Sequence, residues 1–79
     1  MRVELRLYAS LQKFLPGDSA DNTRWVEMEE GATIRSLFEK FQIPLDAPKI
    51  IFLNGIHARR DEVLKDGDRV GAFPPVAGG

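Results

Sequence analysis

The residues of this sequence best suited to chemistry stand at its end, where Phe73-Pro74-Pro75 leads through Val76-Ala77 to Gly78-Gly79. A free α-carboxyl has a pKa of roughly 3.3–3.7, so at neutral pH it is a carboxylate. Such a group attacks the α-phosphate of ATP when metal and positive charge stabilise the transition state. The sequence has no phosphate loop, catalytic triad or metal cluster, so that catalysis must come from a partner. Glycine at the last two positions removes every side chain and lets the backbone enter a narrow channel. Pro74-Pro75 holds φ near about −65° and stiffens the stem. Gly79, with Gly78, is therefore the candidate reacting end. Phe73, Pro74, Pro75, Val76 and Ala77 are the candidate partner-binding approach. The competing reading is a frayed terminus; with glycine at about 7% of residues, two in succession at the end arise roughly once in 200.

Other reactive types are sparse. His57 is the single histidine and follows the Asn54-Gly55 turn with no cysteine or carboxylate pair beside it, which suits a solvent-facing hairpin residue. Asp66 and Asp68 flank Gly67, and hard cations want six or more oxygens, so these are read as turn residues and no metal is expected. Arg59, Arg60 and Arg69 are candidates for a basic patch facing an acidic partner surface. The chain has no cysteine, which excludes disulfides, a thiolate nucleophile and cysteine-ligated metal. No cofactor is expected.

Eleven Lys+Arg against twelve Asp+Glu give a formal charge of −1, without the basic excess of a nucleic-acid binder. No polybasic anchor, signal-peptide core or apolar run of ~20 residues is present, so neither membrane nor nucleic acid is an expected partner. A cysteine-free small domain fits a reducing cytoplasm. Seventy-nine residues leave room for one core.

The elements that must position the chain end follow from periodicity. Val3, Leu5 and Leu7 alternate with Arg2, Glu4 and Arg6, the pattern of a half-buried strand. Ser10 is a cap for a short helical turn over 11–14, stopped by Pro16-Gly17, and residues 16–22 form a turn-rich loop. Residues 24–28 read as a second strand, in a hairpin with the first. Thr33 caps a helix whose Ile34, Leu37, Phe38 and Phe41 share one stripe, with Arg35, Glu39 and Lys40 opposite, ended by Pro44. Residues 49–53 are an apolar strand covered on both sides, with either Ile50 and Phe52 or Ile51 and Leu53 on the outer face. Asn54-Gly55 predicts a type I′ turn into a short strand over 56–59. Asp66-Gly67-Asp68 turns into a last strand over 69–73, and pairing stops at Pro74-Pro75. The order predicts an α+β roll of the β-grasp (ubiquitin-like) type, a mixed sheet on one main helix with first and last strands side by side. Residues 1–73 make the domain and 74–79 an extended tail. The outer sheet face, continuing to Phe73 and Val76, is expected to dock partner enzymes.

The last fourteen residues, Asp66-Gly67-Asp68-Arg69-Val70-Gly71-Ala72-Phe73-Pro74-Pro75-Val76-Ala77-Gly78-Gly79, resemble the MoaD/ThiS family of ubiquitin-like sulfur carriers. The opening strand into Tyr8-Ala9-Ser10-Leu11 and the Asn54-Gly55 hairpin also fit, and the double proline is more like MoaD than ThiS. The resemblance implies that a ubiquitin-activating-enzyme-like adenylyltransferase adenylates Gly79 and a sulfur donor converts it to a thiocarboxylate. It implies delivery to the large subunit of molybdopterin synthase, or to another acceptor such as that of thiamine synthesis. Conjugation of Gly79 to lysines, as in a protein modifier, is the further alternative.

Overall fold

The computed structural model describes residues 1–15 and 22–75. In chain order they form β1 (Arg2–Leu7), a 3-10 turn (Ala9–Phe14), β2 (Thr23–Glu27), α1 (Ile34–Lys40), β3 (Ile50–Leu53), β4 (Ile56–His57) and β5 (Arg69–Phe73). The five strands make one sheet ordered β2-β1-β5-β3-β4. β1 and β5 run parallel at its centre, while the other neighbours pair antiparallel. This is the expected mixed sheet, with first and last strands adjacent.

One face carries the core. Val3, Leu5 and Leu7 of β1, Ile51 of β3, and Val70 and Ala72 of β5 join Ile34, Leu37 and Phe38 of α1 in a single buried cluster. The helical stripe is thus spent on the sheet, with Phe41 partly buried at its end and Arg35, Glu39 and Lys40 exposed. The apolar run in β3 is two-faced: Ile51 is buried and Leu53 packs on the core, whereas Ile50 and Phe52 face outward and are half-buried.

Both ends of α1 are closed by hydrogen bonds. Thr33 is the N-cap, exchanging bonds with Ser36 in a capping box. The amides of Ile34 and Arg35 donate to the carbonyls of Glu62 (3.1 Å) and Arg60 (2.8 Å), so the segment after β4 supplies acceptors that a helix start otherwise lacks. At the other end the helix stops before Pro44 acts. Gln42 takes φ 58°. The amides of Gln42 and Ile43 return to the carbonyls of Glu39 (3.0 Å) and Phe38 (2.9 Å), a Schellman motif sealed by apolar Ile43 over Phe38. The expected stop at Pro44 is corrected accordingly: a left-handed residue ends the helix, and proline merely follows.

A second correction concerns Ser10. The 3-10 turn begins at Ala9 with Tyr8 as N-cap and no side-chain cap, and Ser10 lies within the turn, exposed. Tyr8 donates its amide to the Ala72 carbonyl at 3.1 Å, so β5 keeps the chain extended until Tyr8 and Ala9 turns it, at φ 53°. The return strand is also shorter than the four residues expected, because the chain turns after Ala58, where Glu62 donates to the Arg59 carbonyl at 3.2 Å. Asn54 and Gly55 take φ 54° and 83°, as a type I′ turn requires.

The free edge of β2 is also closed. Met1 and Met28 exchange backbone bonds, so strand alternation turns the carbonyls of Glu27, Trp25 and Thr23 outward. Lys40 Nζ donates to the Glu27 carbonyl at 3.0 Å and Arg24 Nη1 to that of Thr23 at 2.8 Å. Cations on an edge blunt its tendency to pair with another strand.

Candidate functional site

Because side chains alternate along a strand, the parity that buries Leu5, Leu7, Val70 and Ala72 sends Arg6, Gly71 and Phe73 to the opposite face. Continuing the alternation of β1 by one step brings Tyr8 to the same face. The registers Phe52↔Gly71 and Ile50↔Phe73 add the outward residues of β3, and Phe52↔His57 adds β4. Four rings follow one another across the sheet. Tyr8 stacks on Phe73 with centroids 4.2 Å apart and planes within 1°. Phe52 meets Phe73 edge-on at 5.9 Å and meets His57 edge-on at 5.9 Å.

These contacts fix the point from which the chain leaves the sheet. The Phe73 carbonyl accepts from the Lys49 amide at 2.8 Å, and its ring is held by Tyr8 and Phe52. Aromatic pairs of this kind contribute about 0.5–1.5 kcal/mol each beyond their buried area. Pro74 is half-buried and Pro75 exposed, and neither has an amide hydrogen to extend β5. The stem is therefore anchored by Tyr8 and Phe52 as well as by proline stiffness. Val76, Ala77, Gly78 and Gly79 lie outside the described residues.

Beside the rings is an open hollow of about 410 Å³, lined among others by Glu4, Arg6, Tyr8, Phe52, Arg69 and Phe73. Gly71 leaves this space empty; a Cβ there would come within 3.6 Å of Tyr8 Cε2. The hollow grades from charge to aromatic surface along β1 and β5. At its charged end Glu4, only 7% exposed, accepts from Arg6 Nε at 3.0 Å. The side chain of Tyr8, and after it Glu4, holds the Arg6 guanidinium above its ordinary pKa, so Arg6 stays charged. Next to Glu4 across β2 stands Trp25, 51% exposed, with the Arg2 guanidinium 5.3 Å from its ring centre.

The remaining candidates separate. His57 is exposed in the hairpin and touches Phe52. The aspartates are engaged in turns: Asp66 Oδ1 accepts the Arg2 amide (2.8 Å), and Asp68 accepts the Lys65 amide (2.7 Å) and Asn54 Nδ2 (3.0 Å). Asn54 Oδ1 in turn accepts the Arg69 amide at 2.9 Å, so the two turns are stapled together. Arg59, Arg60 and Arg69 do not form one patch. Arg69 lines the outer hollow, Arg59 and Arg60 a different one, and Arg60 Nη2 is spent on the Pro48 carbonyl at 2.6 Å. Among the described residues no group of three or more His, Asp or Glu could hold a metal ion. No helix among the described residues is long and apolar enough to cross a membrane. The described residues offer an aromatic outer surface and a chain exit fixed at Phe73.

Tyr8, Gly71, Glu4 and Arg6 are absent from the sequence-derived site. Their signal was the strand parity itself, which puts Tyr8 and Gly71 on the outer face once β1 and β5 are paired.

A family model described as Mut7-C ubiquitin matches residues 1–78. No curated protein matches the chain. Among solved structures, a putative molybdopterin converting factor, subunit 1, from Pyrococcus furiosus is similar with 28% identity and a TM-score of 0.70, over 95% of this chain and 98% of that one. Small archaeal modifier protein 1 of Haloferax volcanii aligns with TM-score 0.73 and 22% identity over 95% of this chain and 98% of that one. A chain from the complex of subunits 1 and 2 of the molybdopterin-converting factor of Helicobacter pylori aligns with TM-score 0.62 and 23% identity over the whole of both chains. The last two likenesses speak for the fold alone. With its mixed sheet, single covering helix and aromatic-clamped exit strand, the chain belongs to the Mut7-C ubiquitin family and has the β-grasp fold of the MoaD/ThiS ubiquitin-like sulfur carriers.

Proposed function

We propose that this chain is a sulfur carrier acting in molybdopterin synthesis, with residues 1–73 as body and 74–79 as a working tail that ends, directly or after trimming, at Gly79. A partner resembling ubiquitin-activating enzymes adenylates the Gly79 carboxylate, releasing pyrophosphate. The outer sulfur of a persulfide donor then displaces AMP, and a second thiol cuts the resulting acyl persulfide by forming a disulfide with the donor, leaving the thiocarboxylate. The observation that carries this reading is the clamp of Tyr8 and Phe52 on Phe73 at the root of a stem running through Pro74-Pro75 to Gly78-Gly79. A stem held on its own body enters a partner's channel at a smaller ordering cost than a free end. The outer face around Phe73, Phe52 and Tyr8 docks first the activating enzyme and then the acceptor, since apolar surface beside the stem is the part both must approach. The acceptor is a large subunit like that of molybdopterin synthase. The Pyrococcus likeness supports this branch. The cycle takes place in the cytoplasm.

Intact-mass analysis after co-expression with an activating enzyme tests the reading. A sulfur-for-oxygen mass gain on the chain, absent when Gly79 is deleted, is expected; an unchanged mass with competent enzyme and donor refutes it. The fold shared with small archaeal modifier protein 1 is compatible with a second reading, in which Gly79 forms an isopeptide bond with a lysine. Lysines carrying the segment from Val70 to Gly79, which trypsin leaves after cutting at Arg69, would mark that outcome in digests of the cell's proteins.

A further inference from the structure

A second hollow, of about 390 Å³, is lined by Arg35 of α1 together with Lys49, His57, Arg59, Arg60 and Asp61 around the β3–β4 edge of the sheet, among others. Four permanent cations and one carboxylate converge here in a chain whose formal charge is −1. Among the described residues none of the four forms an ion pair. Glu62, next in the chain after Asp61, directs its carboxylate to the Arg59 amide at 3.3 Å. Arg60 is tied to the Pro48 carbonyl, and its buried Nε has no hydrogen-bond partner. A cluster of like charges raises the free energy of the fold through mutual repulsion, and an orphaned buried donor adds to it. The start of α1 takes no part, because the amides of Ile34, Arg35 and Ser36 are already bonded to Glu62, Arg60 and Thr33.

The position of the hollow selects its occupant. Lys49 belongs to it and donates its amide to the Phe73 carbonyl, the last backbone bond before Pro74. The basic surface therefore begins where the stem leaves the sheet, and a protein gripping the stem lies over it. We propose that this hollow is an electrostatic docking site for an acidic segment of the protein that takes hold of the tail. The partner's identity rests on the function proposed above; the charge pairing does not. Complementary charge beside the tail would speed encounter and orient the carrier before the apolar face closes.

The probe is an octaglutamate peptide added to the isotope-labelled chain at low salt, followed by amide chemical shifts. Movement confined to Arg35, Lys49 and residues 57–61 is expected, with affinity falling at least about tenfold in the Arg35→Glu, Arg59→Glu double variant. It should also fall steeply toward about 0.5 M salt. Both substituted residues are exposed, and the salt series on the unmodified chain keeps the test decisive if the variant does not fold. Shifts centred on Arg2, Arg6 or Arg69, insensitivity to the charge reversal, or tighter binding of an oligonucleotide of equal charge would overturn the proposal. Saturation by inorganic phosphate at the same residues would overturn it too, by assigning the hollow to small anions. The mass of Gly79 is not read in this experiment, so failure here and failure of the carrier reading are told apart.

Discussion

Replacing Gln42 with glycine should stabilise this domain, although glycine in a helical sequence ordinarily weakens it. Gln42 stands one residue past the C-cap Phe41 with φ 58°, exposed and with no side-chain hydrogen bond among the described residues. A residue with a Cβ costs roughly 1–2 kcal/mol in the left-handed region. Glycine escapes that cost but loses roughly 0.5–1 kcal/mol more chain entropy on folding. The balance is a gain of about 0.5–1 kcal/mol, with both Schellman bonds retained because they use backbone atoms alone. In urea, with a slope of about 1 kcal/mol/M for a domain this small, the midpoint should rise by about 0.5–1 M at unchanged slope. The melting temperature should rise by about 2–8 °C. Gln42→Ala should show no such gain, since alanine carries the same Cβ. A stability lowered by about 1 kcal/mol in the glycine variant, a midpoint down by about 1 M, is what an interior helical position would give. That result would mean α1 runs on toward Pro44, and the capping argument would fall.

Tyr8→Ala should lower stability by about 1–3 kcal/mol, read as a reduced urea midpoint, and should slow loading of Gly79 by a partner more than a substitution at exposed Trp25 does. Equal loading rates would show that the clamp on Phe73 is structural only. The double variant Arg24→Ala, Lys40→Ala uncovers the outward carbonyls of Thr23 and Glu27 and should self-associate as concentration rises, seen by light scattering. A strictly monomeric variant would show that the two cations do not guard the edge. The raised pKa of Arg6 means its contribution is fully present below the ordinary arginine value and is lost only as pH climbs through the raised one. The Arg6–Glu4 pair should therefore give no stability change between pH 6 and 9 attributable to Arg6, as comparison with Arg6→Met over that range (roughly neutral) would show.

Much of this protein is written in local pattern. Period-two alternation in Arg2–Leu7, the i, i+3, i+4 stripe from Ile34 to Phe38, Thr33 as a cap and Asn54-Gly55 as a turn all depend on neighbours within a few residues. Each is legible because the backbone geometry that satisfies it is short-ranged. The family-like ending, from Asp66 to Gly79, was equally plain in the residues themselves. What the residues alone left open was which face of β3 looks outward. Ile50-Ile51-Phe52-Leu53 is apolar on both parities, and only pairing of Phe52 with Gly71 and Ile50 with Phe73 decides it. Tertiary structure also moved the helix end from Pro44 to Gln42, because a backbone bond from Ile43 to Phe38 is available only once Ile43 reaches the core. It split Arg59 and Arg60 from Arg69 and joined them instead to Arg35 and Lys49, residues distant in the chain. Proximity of that kind comes from the antiparallel pairing of β3 with β4 and from the bond of the Arg35 amide to the Arg60 carbonyl at the start of α1, and no local period encodes it.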